Sequence, residues 1–444
     1  MRRTHGGSPQ AIRESNKRLL LERLLDAPSG LTRPQLARSL GLTATAVANL
    51  VAGEGLAAVI EESPVRVPHR GHSGPIPKVL RLKSNLGHAL GIELSESRIQ
   101  IAFADLFGAF DSDHDKHTRS WDVQNDLHGA LAYALTTAHA LANARGVDPA
   151  QISGIGLSIP APVYILSGSD PTDRRGHVRY NLGPGGSSPW SNIDPVAALT
   201  NHLAALPNGQ RWSARALHID NDANLGALAE FRLGAGRGKQ NIIYIKIDVD
   251  GIGAGLIFDG SPYHGAGGIA GELGHVVLEP DRPERCPYCG RPCIETIILD
   301  KLGSRAIDSF ERVALDQIVE AALQGDGNAI AAIRSGAEYL GRAIAPFVTL
   351  LNPERVLLGG SFPAQAYSLL IPPIQSAVAR VTIAPANEDY VVELGALHEE
   401  ASIRGAIWLA LDRTRLEYLL ELAERPSPNP ANAIDYEAPR QSNA

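Results

Sequence analysis

Cys286, Cys289 and Cys293, the only cysteines of the chain, stand within eight residues of one another in the run CPYCGRPC. Three thiols at this spacing, with a histidine upstream at His275, make a donor set for a tetrahedral Zn²⁺ ion. His275 as the fourth ligand completes a Cys₃His site. Glu272 precedes His275 by three residues, so one helical turn would set both side chains on one face. Glu295 follows the last cysteine by two residues, and the pair Asn221-Asp222 stands further upstream. Carboxylates, an amide and an imidazole converging on a pocket suit a polyol, because each hydroxyl both donates and accepts. Gly251, Gly253 and Gly255 open this stretch, and their missing side chains mark a backbone that turns or approaches something closely.

These motifs resemble those of the ROK family (repressors, open reading frames, kinases): GIGAGLIFDG, then GELGH, then a cysteine cluster ending in C-x-E. The resemblance runs over roughly residues 12–412. It implies a two-lobed, actin-like sugar-kinase fold with ligand in the cleft. It also implies sugar contacts at Asn221, Asp222, Glu272, His275 and Glu295, which match the family's N-D-A-N, E-x-G-H and C-x-E motifs. In the family's kinases the aspartate at the Asp222 position also takes the hydroxyl proton. The metal implied is a structural zinc on His275, Cys286, Cys289 and Cys293. Family zinc sites commonly read C-x-C-x4-C; here the spacing is C-x2-C-x3-C, so the middle thiol has moved by one residue. Which nitrogen of His275 faces the metal decides whether the ring also reaches the sugar; the resemblance favours contact with both.

Phosphoryl transfer needs backbone amides and a cation on the phosphates. The family's kinases carry G-I-D-I-G-G-T-K at the first strand, where this chain reads Gly91-Ile-Glu-Leu-Ser95-Glu96-Ser97-Arg98. Both phosphate-loop glycines are replaced, and Glu96 is an anion where phosphates would lie. Val249 and Asp250 replace a G-T ahead of the second glycine loop. Asn352-Pro353 and Gly359-Gly360 resemble the family's adenosine-side motif and are expected to persist as a helix end and a strand-to-helix turn. A non-catalytic sensor is therefore expected, with an ATP-dependent sugar kinase fused to a DNA-binding head as the alternative.

The 444 residues should hold two or three domains. At 44% hydrophobic and 20% charged, the composition is that of a globular protein. No apolar run approaches the ~20 residues a spanning helix needs. The arginines of MRRTHGGSPQ have no apolar h-region behind them, so no membrane partner or secretory signal is expected. Clustered cysteines suit a reducing cytoplasm. The charge is uneven: residues 1–80 carry eleven Lys/Arg against six Asp/Glu, in a chain whose net charge is −7. A basic head on an acidic body suits an anionic partner such as DNA.

The head itself shows three helical patterns. Leu20, Leu21, Leu24 and Leu25 share a face of the first. Thr32 and Pro34 start the second, which stops at Gly41, and Thr43 starts the third. With strands at Ala57–Ile60 and Val79–Leu82, this is the pattern of a winged helix-turn-helix. It resembles the DNA-binding head of ROK repressors, whose basic wing turn corresponds here to Arg70-Gly-His-Ser-Gly-Pro75, with His72 where arginine is common. The candidate DNA contacts are Thr43, Thr45, Asn49, Arg70 and His72. The third helix holds no Lys or Arg, so Thr43, Thr45 and Asn49 would read bases by hydrogen bonds or methyl contact.

Beyond the head, strands alternate with helices, which indicates α/β layers. The expected organisation is an arm at 1–11, a winged helix-turn-helix at 12–82, a first ROK lobe at 86–215 joined by a C-terminal helix at about 400–424, a second lobe at 216–399 carrying the zinc loop, and a disordered tail at 426–444. Residues 163–194 are expected to form a long loop shaping the pocket. The sequence thus leads to a cytoplasmic, sugar-responsive transcriptional repressor. Its partners would be operator DNA, a monosaccharide or sugar derivative as effector, and a second copy or copies in a homodimer or homotetramer, as palindromic operators require.

Overall fold

The computed structural model describes residues 8–53, 55–64, 78–110, 114–165, 176–178, 190, 194–206, 217–248, 251–301, 312–383 and 391–425. The chain divides into two compact units, one from Met1–Leu86 with Thr414–Ala444 and one from Gly87–Arg413. The expected tail at 426–444, the wing turn with Arg70 and His72, Val249-Asp250 and most of the 163–194 loop lie outside the described residues.

In the first unit a helix begins at Pro9, not at Ile12, because Ser8 caps it by accepting from Ala11 N at 3.2 Å and proline suits the first turn. It runs to Leu25 and buries Leu20, Leu21, Leu24 and Leu25. Each such leucine contributes roughly 1.5–3 kcal/mol on leaving water. The second helix, Arg33–Leu40, opens with a capping box: Thr32 N donates to Gln35 Oε1 at 2.8 Å, and Gln35 N donates to Thr32 Oγ1 at 3.4 Å. The third, Ala44–Ala52, is capped by Thr43, whose Oγ1 accepts from Ala46 N at 3.1 Å. Strands Ile60–Pro64 and Lys78–Leu82 pair antiparallel, and Leu31–Thr32 adds a third strand beside the latter. Ala57, expected in the wing, falls in a 3₁₀ turn at Leu56–Ala58 instead.

The last helix, Ala401–Glu424, was expected to belong to the first lobe. From Thr414 onward it clusters with the first unit. There Tyr418 Oη donates to Leu86 O at 2.9 Å, Arg18 pairs with Glu417, and buried Lys17 reaches Glu424 at 3.5 Å. These are partners that sequence separation hides.

The second unit holds two five-stranded sheets of the same plan. One runs Leu217–Asn221, Ile152–Ile159, His88–Leu94, Arg98–Asp105, Lys116–Ser120; the other runs Ser261–Pro262, Gly251–Phe258, Ile242–Asp248, Arg355–Gly359, Val391–Leu394. The boundary expected at 216 is displaced, because Leu217–Asn221 pairs in parallel with Ile155–Ile159 and so belongs to the first sheet. Helices Leu127–Ala144 and Pro195–Ala205 cover the first sheet, and Gly327–Leu351 with Ser361–Ala379 cover the second. Asn352 ends its helix in the left-handed region at φ 42°, and Gly360, at φ 95°, joins a strand to the next helix, as expected of both. That helix begins at Ser361. Among the described residues no helix is long and apolar enough to cross a membrane.

Candidate functional site

The three cysteines are buried, and with His275 they bring four ligand atoms within 4.8 Å of one another. Zinc–sulfur bonds of about 2.3 Å set tetrahedral edges of roughly 3.7 Å, so a small contraction would close this set on an ion. Soft thiols and one imidazole are the donor chemistry zinc takes, and the residues fit it. The one-residue shift of the middle thiol is absorbed by a tight turn, in which Gly290 N donates to Cys286 O at 2.9 Å. Cys286 is the acidic thiol of the group: its hydrogen bond with Cys293 and the nearby His275 hold it well below the usual range, while the same bond and burial push Cys293 up.

His275 has its two nitrogens on different neighbours. Nδ1 lies 3.9 Å from Cys286 Sγ, and Nε2 lies 4.0 Å from Glu272 Oε2. The turn that joins Glu272 to His275 is a 3₁₀ turn, Leu273–His275, with Glu272 just ahead of it. Burial disfavours the charged ring, but Cys286, Glu295 and Glu272 outweigh it and raise His275 to about 9. Burial likewise raises Glu272 to about 7, against the opposing pull of His275 and with the support of Asp222 and Glu295.

Glu295, in the first turn of helix Ile294–Lys301, clips two segments together. Its Oε2 accepts from Ile252 N at 2.8 Å, and burial raises its pKa to about 6. A Cβ on Gly251 would stand 2.4 Å from that same oxygen, and Gly251 has φ 118°, so glycine is required there twice over. A Cβ on Gly255 would stand 2.2 Å from Ala223 O, so the strand Gly251–Phe258 lies directly against helix Asp222–Arg232. The glycines that opened the motif thus serve close approach to the site's own residues.

That helix presents Asn221 and Asp222 at its start. Asn221 is the N-cap: Oδ1 accepts from Ala223 N at 2.9 Å and Asn224 N at 3.3 Å, while Nδ2 donates to Ala161 O at 3.3 Å. Asp222 is buried and ion-paired: Lys246 Nζ stands 2.5 Å from its Oδ2. Behind them Asp220 holds Asn224 Nδ2 at 3.1 Å and His264 Nε2 at 2.7 Å. Asp248, two residues beyond Lys246, accepts from Ser361 Oγ at 2.8 Å.

Glu96 is tied to the cysteine loop. Its Oε1 accepts from Tyr288 Oη at 3.0 Å, and Gln124 Nε2 donates to the same tyrosine oxygen at 3.4 Å. Tyr288 sits between Cys286 and Cys289, so the cysteine loop reaches across to the turn that follows the first strand.

Sequence reasoning missed Lys246, Asp220, His264 and Tyr288. Lys246 did leave a signal, since one lysine in the otherwise apolar run IIYIKI is a buried cation in want of a partner. Of the DNA candidates, Thr43, Thr45 and Asn49 are exposed, with Thr45 and Asn49 one helical turn apart on the third helix. Thr43 also spends its hydroxyl on the cap.

The ROK family model matches residues 89–413. Over 425 residues the chain is 25% identical to the putative xylose repressor of Caldicellulosiruptor sp. (strain Rt8B.4), covering 91% of this chain and 97% of that protein. Among solved structures it resembles a ROK family transcriptional regulator, a homolog of the E. coli MLC protein, with a TM-score of 0.69, 22% identity and coverage of 93% and 99%. A ROK family glucokinase from Streptomyces griseus, in complex with glucose and AMPPNP, matches 73% of this chain and 99% of its own, with a TM-score of 0.57 and 22% identity. The two structural likenesses establish the two-lobed sugar-kinase fold.

Proposed function

The chain belongs to the ROK family, and from that premise we propose that it is a sugar-responsive transcriptional repressor whose kinase-like unit senses sugar without phosphorylating it. The observation that carries this reading is the Lys246–Asp222 pair at 2.5 Å. A general base needs a free lone pair aimed at the proton it takes. A carboxylate held by a buried ammonium is a poor one, yet it still accepts hydrogen bonds from sugar hydroxyls. Asn221, Asp222, Glu272, His275 and Glu295 bind the sugar in this reading, and no residue is catalytic.

Upstream of the matched family domain lies the unit that holds the three helices and the antiparallel hairpin. Its element order supports a winged helix-turn-helix, and Thr43, Thr45, Asn49, Arg70 and His72 are the proposed DNA contacts. Zinc on His275, Cys286, Cys289 and Cys293 would tie the Glu272 and Glu295 segments together and hold the thiols deprotonated. The active form would be a homodimer or homotetramer in the cytoplasm, matching two-fold operators. Sugar and DNA are linked through one equilibrium: a ligand that prefers one arrangement of the sensor withdraws the DNA-competent one.

The test has two parts. A coupled ATP assay over a sugar panel should give no turnover above background. A DNA-binding titration should show release by one of those sugars, xylose being the first to try because a relative matched over 91% of this chain is named for it. Turnover that disappears in Asp222→Asn would replace this reading with the kinase alternative.

A further inference from the structure

The cysteine loop and the turn after the first strand meet at one hydrogen bond, Tyr288 Oη to Glu96 Oε1 at 3.0 Å. Neither end is loose. The Glu96 backbone is pinned by Val123 N, which donates to Glu96 O at 3.0 Å, and Tyr288 lies between two buried cysteines of the candidate metal centre. Gln124, on the same side as Glu96, adds a second bond to Tyr288 at 3.4 Å. One partner is therefore rooted in the first sheet's lobe and the other in the cysteine loop, which runs between the turn that bears His275 and the helix that bears Glu295.

The charges around this contact are unbalanced. Glu96, joined through Tyr288 to the cysteine loop, adds a carboxylate to those of Asp222, Glu272 and Glu295 in the candidate sugar site. The cations are committed: Lys246 to Asp222 at 2.5 Å, Arg98 to Glu93 at 3.7 Å and Glu399 at 3.5 Å, and His275 Nδ1 towards Cys286. Hydroxyls are welcome among such carboxylates, since each can donate a charge-assisted hydrogen bond. A phosphate ester is not, since it adds about −1.5 to −2 charge at neutral pH to a site where water screens poorly.

We propose that Tyr288 and Glu96 clasp the cysteine loop to the first lobe over the sugar cleft, and that Glu96 makes the cleft selective for uncharged sugars over their phosphate esters. The inference rests on the sugar-sensor reading and deepens it by naming the ligand class. Tyr288 acts as a positioning residue, holding the loop that leads into the helix bearing Glu295. Glu96 acts on specificity.

Calorimetric titration of the full chain with glucose, xylose and N-acetylglucosamine, each beside its terminal phosphate ester, tests both parts. Wild type should bind one uncharged sugar at least ~30-fold more tightly than its ester, the scale set by one like-charge contact in a half-buried site. Glu96→Gln should narrow that ratio about tenfold or more. Tyr288→Phe should weaken the uncharged sugar about tenfold, the worth of one hydrogen bond to a charged group, with unchanged metal content. An ester that binds wild type as tightly as its parent sugar overturns the proposal, as does a ratio unmoved in Glu96→Gln. Tyr288→Phe with wild-type affinity removes the clasp. No binding by any of the six compounds would instead sink the sensor reading, and the clasp with it.

Discussion

Lys246 Nζ and Asp222 Oδ2 stand 2.5 Å apart, their side chains only 7% and 10% exposed, one on a strand of the second sheet and the other in the first turn of the helix that leaves the first sheet. The pair ties the two halves of the sensor at the point where a kinase would place its base. Removing one partner from a buried ion pair strands the other, at about 3–5 kcal/mol. Lys246→Met should therefore lower unfolding stability by about that amount in a denaturant titration. Lys246→Met with Asp222→Asn should recover much of it, because no unpaired charge is left. A single mutant as stable as wild type would mean that the pair is not formed.

Metal removal should act on the fold before it acts on binding. About one zinc per chain is expected by elemental analysis, with a large loss of melting temperature on chelation, since structural-site affinity becomes folding free energy. Cys293→Ser should lower metal content and stability together. Purified protein without zinc, with three freely titratable thiols, would remove the centre from this account.

Glu272→Ala should separate sensing from DNA binding. Moving a sensor from 99:1 to 1:99 takes about 5.5 kcal/mol of differential affinity, which a few charge-assisted hydrogen bonds of roughly 1.5–3 kcal/mol each supply. The variant should bind operator DNA as wild type does and fail to release it with sugar. Release at the wild-type sugar concentration would show that Glu272 does not hold the ligand.

Operator binding should fall steeply with salt, because phosphate contacts release counterions. Thr45→Ala and Asn49→Ala should each relax preference at one or two base pairs, by about 1–3 kcal/mol. Arg70→Ala should weaken all sequences alike. A chain lacking residues 1–80 that retains operator affinity would place the reader elsewhere.

His264 gives the stability a pH dependence of its own. Burial disfavours its charged form, but Asp220, at 2.7 Å, outweighs burial and raises the pKa above the ordinary 6.5. A raised pKa means that the folded state holds the proton more tightly than the unfolded one. The contribution is whole below about 6.5, the unfolded value, and is lost as pH rises through the folded pKa. The stability difference between wild type and His264→Gln should thus be largest in mild acid and shrink in alkali. A difference constant with pH would show that the pair is not ionic.

Much of this protein was legible along the chain because its signals are local. The cysteine spacing, the Glu272–His275 interval and the glycine run are short-range patterns, and short-range patterns survive without a fold. Helix starts were legible for the same reason, as at Thr32 and Thr43, where a cap bonds a residue three positions on. The start at Pro9 was read three residues late because a polar first turn lacks the apolar period that marks a helix.

What only the tertiary structure decided is whatever depends on residues far apart in sequence. Lys246 meets Asp222 across 24 positions, and Tyr288 meets Glu96 across 192. The last turns of the final helix, from Thr414, cluster with the unit formed by Met1–Leu86, and Leu217–Asn221 joins a sheet begun at His88. The sequence by itself determined which donors exist: three thiols, an imidazole and a set of carboxylates. Which nitrogen faces which donor, and which carboxylate is already paired, follow from directional contacts at a few ångströms, and chain closure, not spacing, sets those.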